Sequence, residues 1–206
     1  MTEATVAEHA EHTEHHTSTG LDNRKVAMWA FLGSECLLFG ALISSYLLYR
    51  TRRVPADSVI PHDLYDIPYT SVSSFVLLMS SLTMVLALAA IQRGNGRNMR
   101  VWLSATGLLG VTFIGGQVYE FTTFVREGMT LSSNPAASAF FLLTGFHGTH
   151  VTLGIIMLFS LVGMSLMGRI TQRNALVVEL VGLYWHFVDI VWVVIFTVVY
   201  LMPTPS

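Results

Sequence analysis

The chain is 206 residues long, 52% hydrophobic and 12% charged, with a formal net charge of −2 at pH 7. Soluble domains carry roughly a quarter charged residues, so this composition excludes an ordinary water-soluble domain. The near-neutral charge excludes the basic footprint of a nucleic-acid partner, and a single cysteine, Cys36, excludes a disulfide framework or a CxxC metal knot. In chain order, residues 1–24 come first as a polar, acidic tail rich in histidine, with Glu8-His9, Glu11-His12 and Glu14-His15-His16. Such a segment reads as disordered and solvated, and it lacks the apolar core of a cleavable signal peptide. Metal binding by its histidines is the weaker reading.

Residues 25–206 form the second unit, with five apolar stretches: Val26–Tyr49, Ser71–Gln92, Val101–Val125, Ala139–Met167 and Leu176–Met202. Each supplies the roughly 20 residues a helix needs to cross about 30 Å of hydrocarbon, and a helix satisfies its own backbone there. The longest linker, Arg50 to Thr70, carries Pro55, Pro61 and Pro68 and reads as an irregular surface segment. The linkers Arg93–Arg97 and Gly168–Ala175 are short and basic, and no internal repeat is evident. With the N-terminus inside, the inner segments hold Arg24, Lys25, Arg93, Arg97, Arg100, Arg169 and Arg173. The outer ones then hold Arg50, Arg52, Arg53 and Arg126. Positive charge gathers on the cytoplasmic side, so the expected fold is all-α: a polytopic transmembrane bundle of five helices, N-terminus cytoplasmic and C-terminus external.

Charge in a membrane interior is costly, so polar residues there are paired, neutralised or functional. Glu35 stands about ten residues into the first span, beside Phe31, Leu38 and Leu42 and opposite a small-residue stripe of Gly33, Gly40 and Ser44. Two readings stay open for it: a hydrogen bond to a neighbouring helix or subunit, or a role beyond packing. In the third span Gly110, Phe113, Gln117, Glu120 and Phe124 share a face. In the fourth, His147, His150 and Gly154 do so, and in the fifth Glu179, Gly182, His186 and Asp189 form one stripe. With the topology above, Glu120, His147, His150, Asp189 and His186 descend in that order, and His150 and Asp189 fall at one level. The expectation is a buried polar ladder with acid–histidine pairs. His147-x-x-His150 with nearby carboxylates is also raw material for a metal site, but di-metal bundles use Glu-x-x-His pairs, and neither Gln117–Glu120 nor His186–Asp189 matches. Structural pairing is favoured over metal, and no catalytic residue is assigned.

The tract Tyr184-Trp185-His186-Phe187-Val188-Asp189-Ile190-Val191-Trp192, preceded by Glu179, resembles the last-helix signature of cytochrome c oxidase subunit III. Gly145-Phe146-His147-Gly148-Thr149-His150-Val151 is close to that family's Gly-Phe-His-Gly-x-His-Val segment. Gln117, Tyr119 and Glu120 fit its Gln…Glu-Tyr region with altered spacing, and Ser34-Glu35 matches the helix bearing its carbodiimide-reactive carboxylate. The likeness runs in order from about Val26 to Met202. The full-length family has seven spans and this chain has no counterpart of the first two, so it resembles the shorter bacterial form. The cleft lipid of the longer form loses a wall here, while phospholipid bound on the exposed helix faces is still expected.

The resemblance implies a subunit with no haem or copper of its own in a proton-pumping aa3-type cytochrome c oxidase of the bacterial inner membrane. Its implied partners are a catalytic subunit I and a copper-bearing subunit II, which hold haem a and copper, together with membrane lipids and a larger respiratory supercomplex. Its implied work is to stabilise the catalytic subunit and support proton uptake. No electron-donor site is present in this chain, so subunit III of a quinol oxidase and a nitric-oxide-reductase accessory protein stay open. A stand-alone metal-dependent membrane enzyme built on the histidines is the remaining alternative.

Overall fold

The computed structural model describes residues 22–50 and 66–202. The histidine pairs of the tail and most of the proline-bearing linker lie outside the described residues. Among the described residues five helices are long and apolar enough to cross a membrane: α1 (Asn23–Arg50), α2 (Ile67–Gln92), α3 (Gly96–Arg126), α4 (Pro135–Leu166) and α5 (Ala175–Phe196). A 3₁₀ turn, Gln172–Asn174, leads into α5, and a π-helical turn, Thr197–Leu201, continues it.

The helices begin earlier than the apolar stretches do, because capping sets their ends. Asp66 accepts from the Tyr69 amide at 3.1 Å, Asn95 from Asn98 at 3.0 Å and Asn134 from Ala137 at 2.7 Å. Each side chain thereby satisfies a backbone donor that has no partner within the helix. Pro68 therefore lies in the first turn of α2 and not in the linker, and Pro135 opens α4. Proline is at home there because no hydrogen bond is asked of its nitrogen. Gly94, Gly128 and Gly168 have φ of 75°, 88° and 71° and end α2, α3 and α4. Glycine adopts this left-handed cap without a Cβ penalty.

In the bundle α2 packs along α3 and α5, α3 along α4, and α4 along α5, while α1 lies against α4 and α5. The centre is built around α5, whose Trp185 and Trp192 are fully buried. Room for Trp185 comes from glycine: a Cβ on Gly110 would stand 2.6 Å from its ring and one on Gly154 2.8 Å. The indole N–H groups donate to α2, Trp185 to Ser80 Oγ at 3.0 Å and Trp192 to Ser74 Oγ at 2.9 Å. Apolar bulk and polar edge are thus both accommodated.

α1 differs. Its buried residues are Leu32, Phe39 and Tyr46 alone, seven apart, the repeat of a narrow seam between two helices. Its other faces are open, with Trp29 at 61% and Leu37 at 77% exposure. The stripe of Gly33 and Gly40 meets nothing within 4 Å among the described residues.

Candidate functional site

Glu35 has a partner on a neighbouring helix, the first of the two readings left open for it. One turn from Phe39 on the α1 seam, its Oε2 lies 3.1 Å from Nε2 of His150 on α4. The other ring nitrogen of His150, Nδ1, is 2.8 Å from the carbonyl of Phe146. A carbonyl only accepts, so Nδ1 carries a hydrogen. The Nε2–Oε2 contact then holds one proton: neutral histidine accepts from a carboxylic acid, or imidazolium donates to carboxylate. Either way the pair is neutral overall, which limits its cost in an apolar medium. Phe39 meets the His150 ring edge-on at 5.1 Å, and Tyr184 Oη of α5 donates to the His150 carbonyl at 3.0 Å.

Asp189, placed by its depth beside His150, is instead partnered from α2. Ser81 Oγ donates to Asp189 Oδ2 at 2.6 Å and stands 3.0 Å from Nδ1 of His186. Serine gives its one proton to the carboxyl oxygen, so His186 Nδ1 is the donor to Ser81. The acid–histidine contacts therefore form two separate groups. One joins α1 to α4, and the other joins α2 to α5 through a hydroxyl. Equal depth brought His150 and Asp189 to one level, but the rotation of α4 and α5 turns each toward a different neighbour.

The remaining rungs disperse as well. Glu120 is buried near one end of the bundle, its Oε1 3.0 Å from Thr70 Oγ1 and 3.1 Å from Tyr200 Oη. His147 is fully buried; it stacks on Trp192 at 4.9 Å and meets the edge of Phe113 at 6.0 Å. Neither of its ring nitrogens has a hydrogen-bond partner among the described residues, so it packs as an aromatic plate. Gln117 is 6% exposed, and neither amide atom is partnered among the described residues. Glu179 leaves the ladder and pairs with Lys25 of α1 at 2.7 Å. Among the described residues no group of three or more His, Cys, Asp and Glu side chains is placed to hold a metal. The His-x-x-His element illustrates why, since His147 faces Trp192 while His150 faces Glu35.

The hydroxyl partners were the unread part of the site. Thr70, Ser74 and Ser81 of α2 receive Glu120, Trp192 and Asp189. Their spacings of four and seven put them along one side of the helix, and that stripe is present in the sequence. Reading it as a surface that meets other helices requires knowing that α3 and α5 lie opposite.

A family profile described as cytochrome c oxidase subunit III matches residues 3–204. Quinol oxidase subunit 3 of Bacillus subtilis (strain 168) is 37% identical over 201 residues, covering 95% of this chain and 97% of the relative. Cytochrome c oxidase subunit 3 of Bacillus sp. (strain PS3) is 37% identical, covering 87% and 86%. Cytochrome bo(3) ubiquinol oxidase subunit 3 of Pseudomonas aeruginosa (strain ATCC 15692) is 35% identical, covering 93% and 90%. A bundle of five membrane-spanning helices, with its acids and histidines engaged between helices, thus comes with a match across nearly its whole length: the chain belongs to the cytochrome c oxidase subunit III family.

Proposed function

We propose that this chain is the non-redox third subunit of a proton-pumping aa3-type cytochrome c oxidase in the inner membrane of a bacterium. Residues 25–206 are the membrane unit, entered from the cytoplasmic side and left on the outside, and residues 1–24 are a solvated tail. The catalytic subunit I and the copper-bearing subunit II hold haem a and copper. This chain binds against the catalytic subunit, stabilises it during turnover and supports proton uptake, with phospholipid on its open faces and a larger respiratory supercomplex as its setting.

The reading rests on the match over residues 3–204. The site agrees with it in character. Glu35 and His150 share one proton between two helices, an arrangement suited to joining helices and to modulating a nearby proton route. A second reading, in which quinol supplies the electrons, is favoured by the 95% and 97% coverage against the Bacillus subtilis quinol oxidase subunit.

Affinity purification of the chain in mild detergent, with reduced-minus-oxidised haem spectra and identification of the accompanying subunits, tests both. Haem a with a copper-bearing second subunit supports the cytochrome c reading. Haem with a second subunit free of copper selects quinol. A haem-free preparation of the chain alone overturns the oxidase reading.

A further inference from the structure

Between α2 and α5 lies a groove of about 180 Å³, lined by Met84, Leu88, Glu179, Gly182, Leu183 and His186. It sits toward the end of α5 that carries the Lys25–Glu179 pair. Gly182 keeps its middle open, since a Cβ there would stand 3.1 Å from Met84 Cε. Glu179 and His186 are its titratable groups, about 10 Å apart along the helix at 1.5 Å per residue. About three waters span such a distance at roughly 2.8 Å per hydrogen bond. The volume suits them, at about 30 Å³ each in the liquid.

His186 joins this groove to the buried Asp189. Its Nδ1 stands 3.0 Å from Ser81 Oγ, which donates to Asp189 Oδ2 at 2.6 Å. Its Nε2 has no partner among the described residues and is not sealed off as Asp189 Oδ1 is. Asp189 is only 5% exposed, so the histidine is its route to the groove. The other titratable groups that α5 meets among the described residues are engaged elsewhere. Glu179 is held by Lys25 of α1, Glu35 and His150 hold each other, and His147 lies against Trp192. α2 carries no charged side chain at all.

We propose that His186, Ser81 and Asp189 form a proton relay loaded through this groove. Hydronium in the groove gives a proton to Nε2 of the neutral imidazole. Nδ1 passes its own proton to Ser81 Oγ, and Ser81 passes its own to Asp189 Oδ2. Three bonds to hydrogen form and three break, so the triad gains one proton. The imidazole ends neutral with its hydrogen on Nε2, and the aspartate ends as a carboxylic acid. The hydrogen bonds are then reversed, with Asp189 donating to Ser81 and Ser81 to Nδ1. A hydroxyl both donates and accepts, which lets the serine serve in either direction. Acid–histidine chains inside membranes carry protons elsewhere, and here the stored proton also removes a charge from the membrane interior. That the Lys25 end is cytoplasmic, and that an oxidase draws on the proton, rest on the function proposed above; the relay does not.

The test reads the proton of Asp189 by infrared spectroscopy of the assembled complex in native membranes. The C=O band of its carboxylic acid is the one that Asp189→Asn removes, and the shift of that band in heavy water times the exchange. In the unsubstituted protein the band should appear on acidification and exchange promptly. Ser81→Ala should slow exchange about a hundredfold, the lower end of what a positioned proton-transfer group supplies. Ser81→Thr keeps the hydroxyl and should restore it. Gly182→Val narrows the groove against the movable end of Met84 and should slow exchange as well. An Asp189 band that never appears overturns the proposal, because no proton is then stored. So does exchange as fast in Ser81→Ala or Gly182→Val as in the unsubstituted protein, which leaves the serine a tie between α2 and α5. The haem spectrum of the same preparation reports separately on the oxidase reading.

Discussion

α5 and α1 lie in the same bundle and are held in it by different means. α5 buries Trp185 and Trp192 in spaces made by Gly110, Gly154 and the serines of α2. α1 buries a seam of only Leu32, Phe39 and Tyr46 and is tied at three heights by polar groups. Lys25 reaches Glu179, Glu35 reaches His150, and Arg50 donates to the carbonyls of Val198 and Met202 where α5 ends. In lipid, burying an apolar side chain between helices gains little hydrophobic free energy, because the tails are as apolar as leucine. A central helix is then secured by close-packed shape, and a peripheral one with little packed surface depends on its polar ties. The comparison predicts that α5 is sensitive to volume and α1 to hydrogen-bonding capacity.

The largest effect should follow from emptying or overfilling the Trp185 site. Trp185→Ala should cost about 3–5 kcal/mol, and Gly154→Val, which drives a side chain into the indole, about 1–3 kcal/mol. Both are read as loss of thermal stability of the detergent-solubilised complex. Trp29→Ala on the open face of α1 should fall within about 0.5 kcal/mol of the unsubstituted protein. Equal losses at Trp29 and Trp185 would remove the distinction.

A smaller effect sharpens the other half of the comparison. Glu35→Leu orphans Nε2 of His150 and should cost about 1–2 kcal/mol, whereas Glu35→Gln keeps a donor and should cost less than about 1 kcal/mol. In the proposed complex, Glu35→Gln should also leave assembly and the initial rate of oxygen reduction close to unsubstituted levels. Immediate loss of turnover in that variant, with the complex intact, would make Glu35 a carrier of protons and not a tie between helices. On the α2 side, Ser81→Ala removes the hydroxyl between His186 and Asp189 and should cost about 1 kcal/mol, checked by the same thermal assay.

Much of the fold was legible because the membrane imposes a single-helix solution on each long apolar stretch. The ends were less so: hydropathy begins where lipid does, but α2, α3 and α4 begin at Asp66, Asn95 and Asn134, whose caps lie outside the apolar windows. The site was legible one helix at a time. Periodicity put His147 with His150 and His186 with Asp189 on common faces, yet it carries no information on which faces meet. Depth alone therefore sets His150 level with Asp189, while the face it presents brings it to Glu35. Hydroxyl residues such as Thr70 and Ser81 carry no such signal, because an in-helix bond to a preceding carbonyl satisfies a serine or threonine as well as a tertiary contact does. Only the structure distinguishes Ser71, which bonds its own helix, from Ser81, which bonds α5.

The smallest predicted effect is at the other end of α1, and it separates a tie from a mere neighbour. Lys25 and Glu179 are 2.7 Å apart, but each side chain is 33% exposed. Solvent at the helix ends screens such a pair, which limits it to about 0–1 kcal/mol, against the enclosed Glu35–His150 contact at 14% and 12% exposure. Lys25→Met should therefore lower thermal stability by no more than about 0.5 kcal/mol. Even that loss should fade as salt is raised, because exposed charges are screened over about 10 Å at 0.1 M ionic strength. Glu35→Leu should keep its cost across the same salt range. If instead the Lys25 variant proved the more damaging and resisted salt, α1 would be anchored from its end, and the ordering of its ties by burial would be reversed.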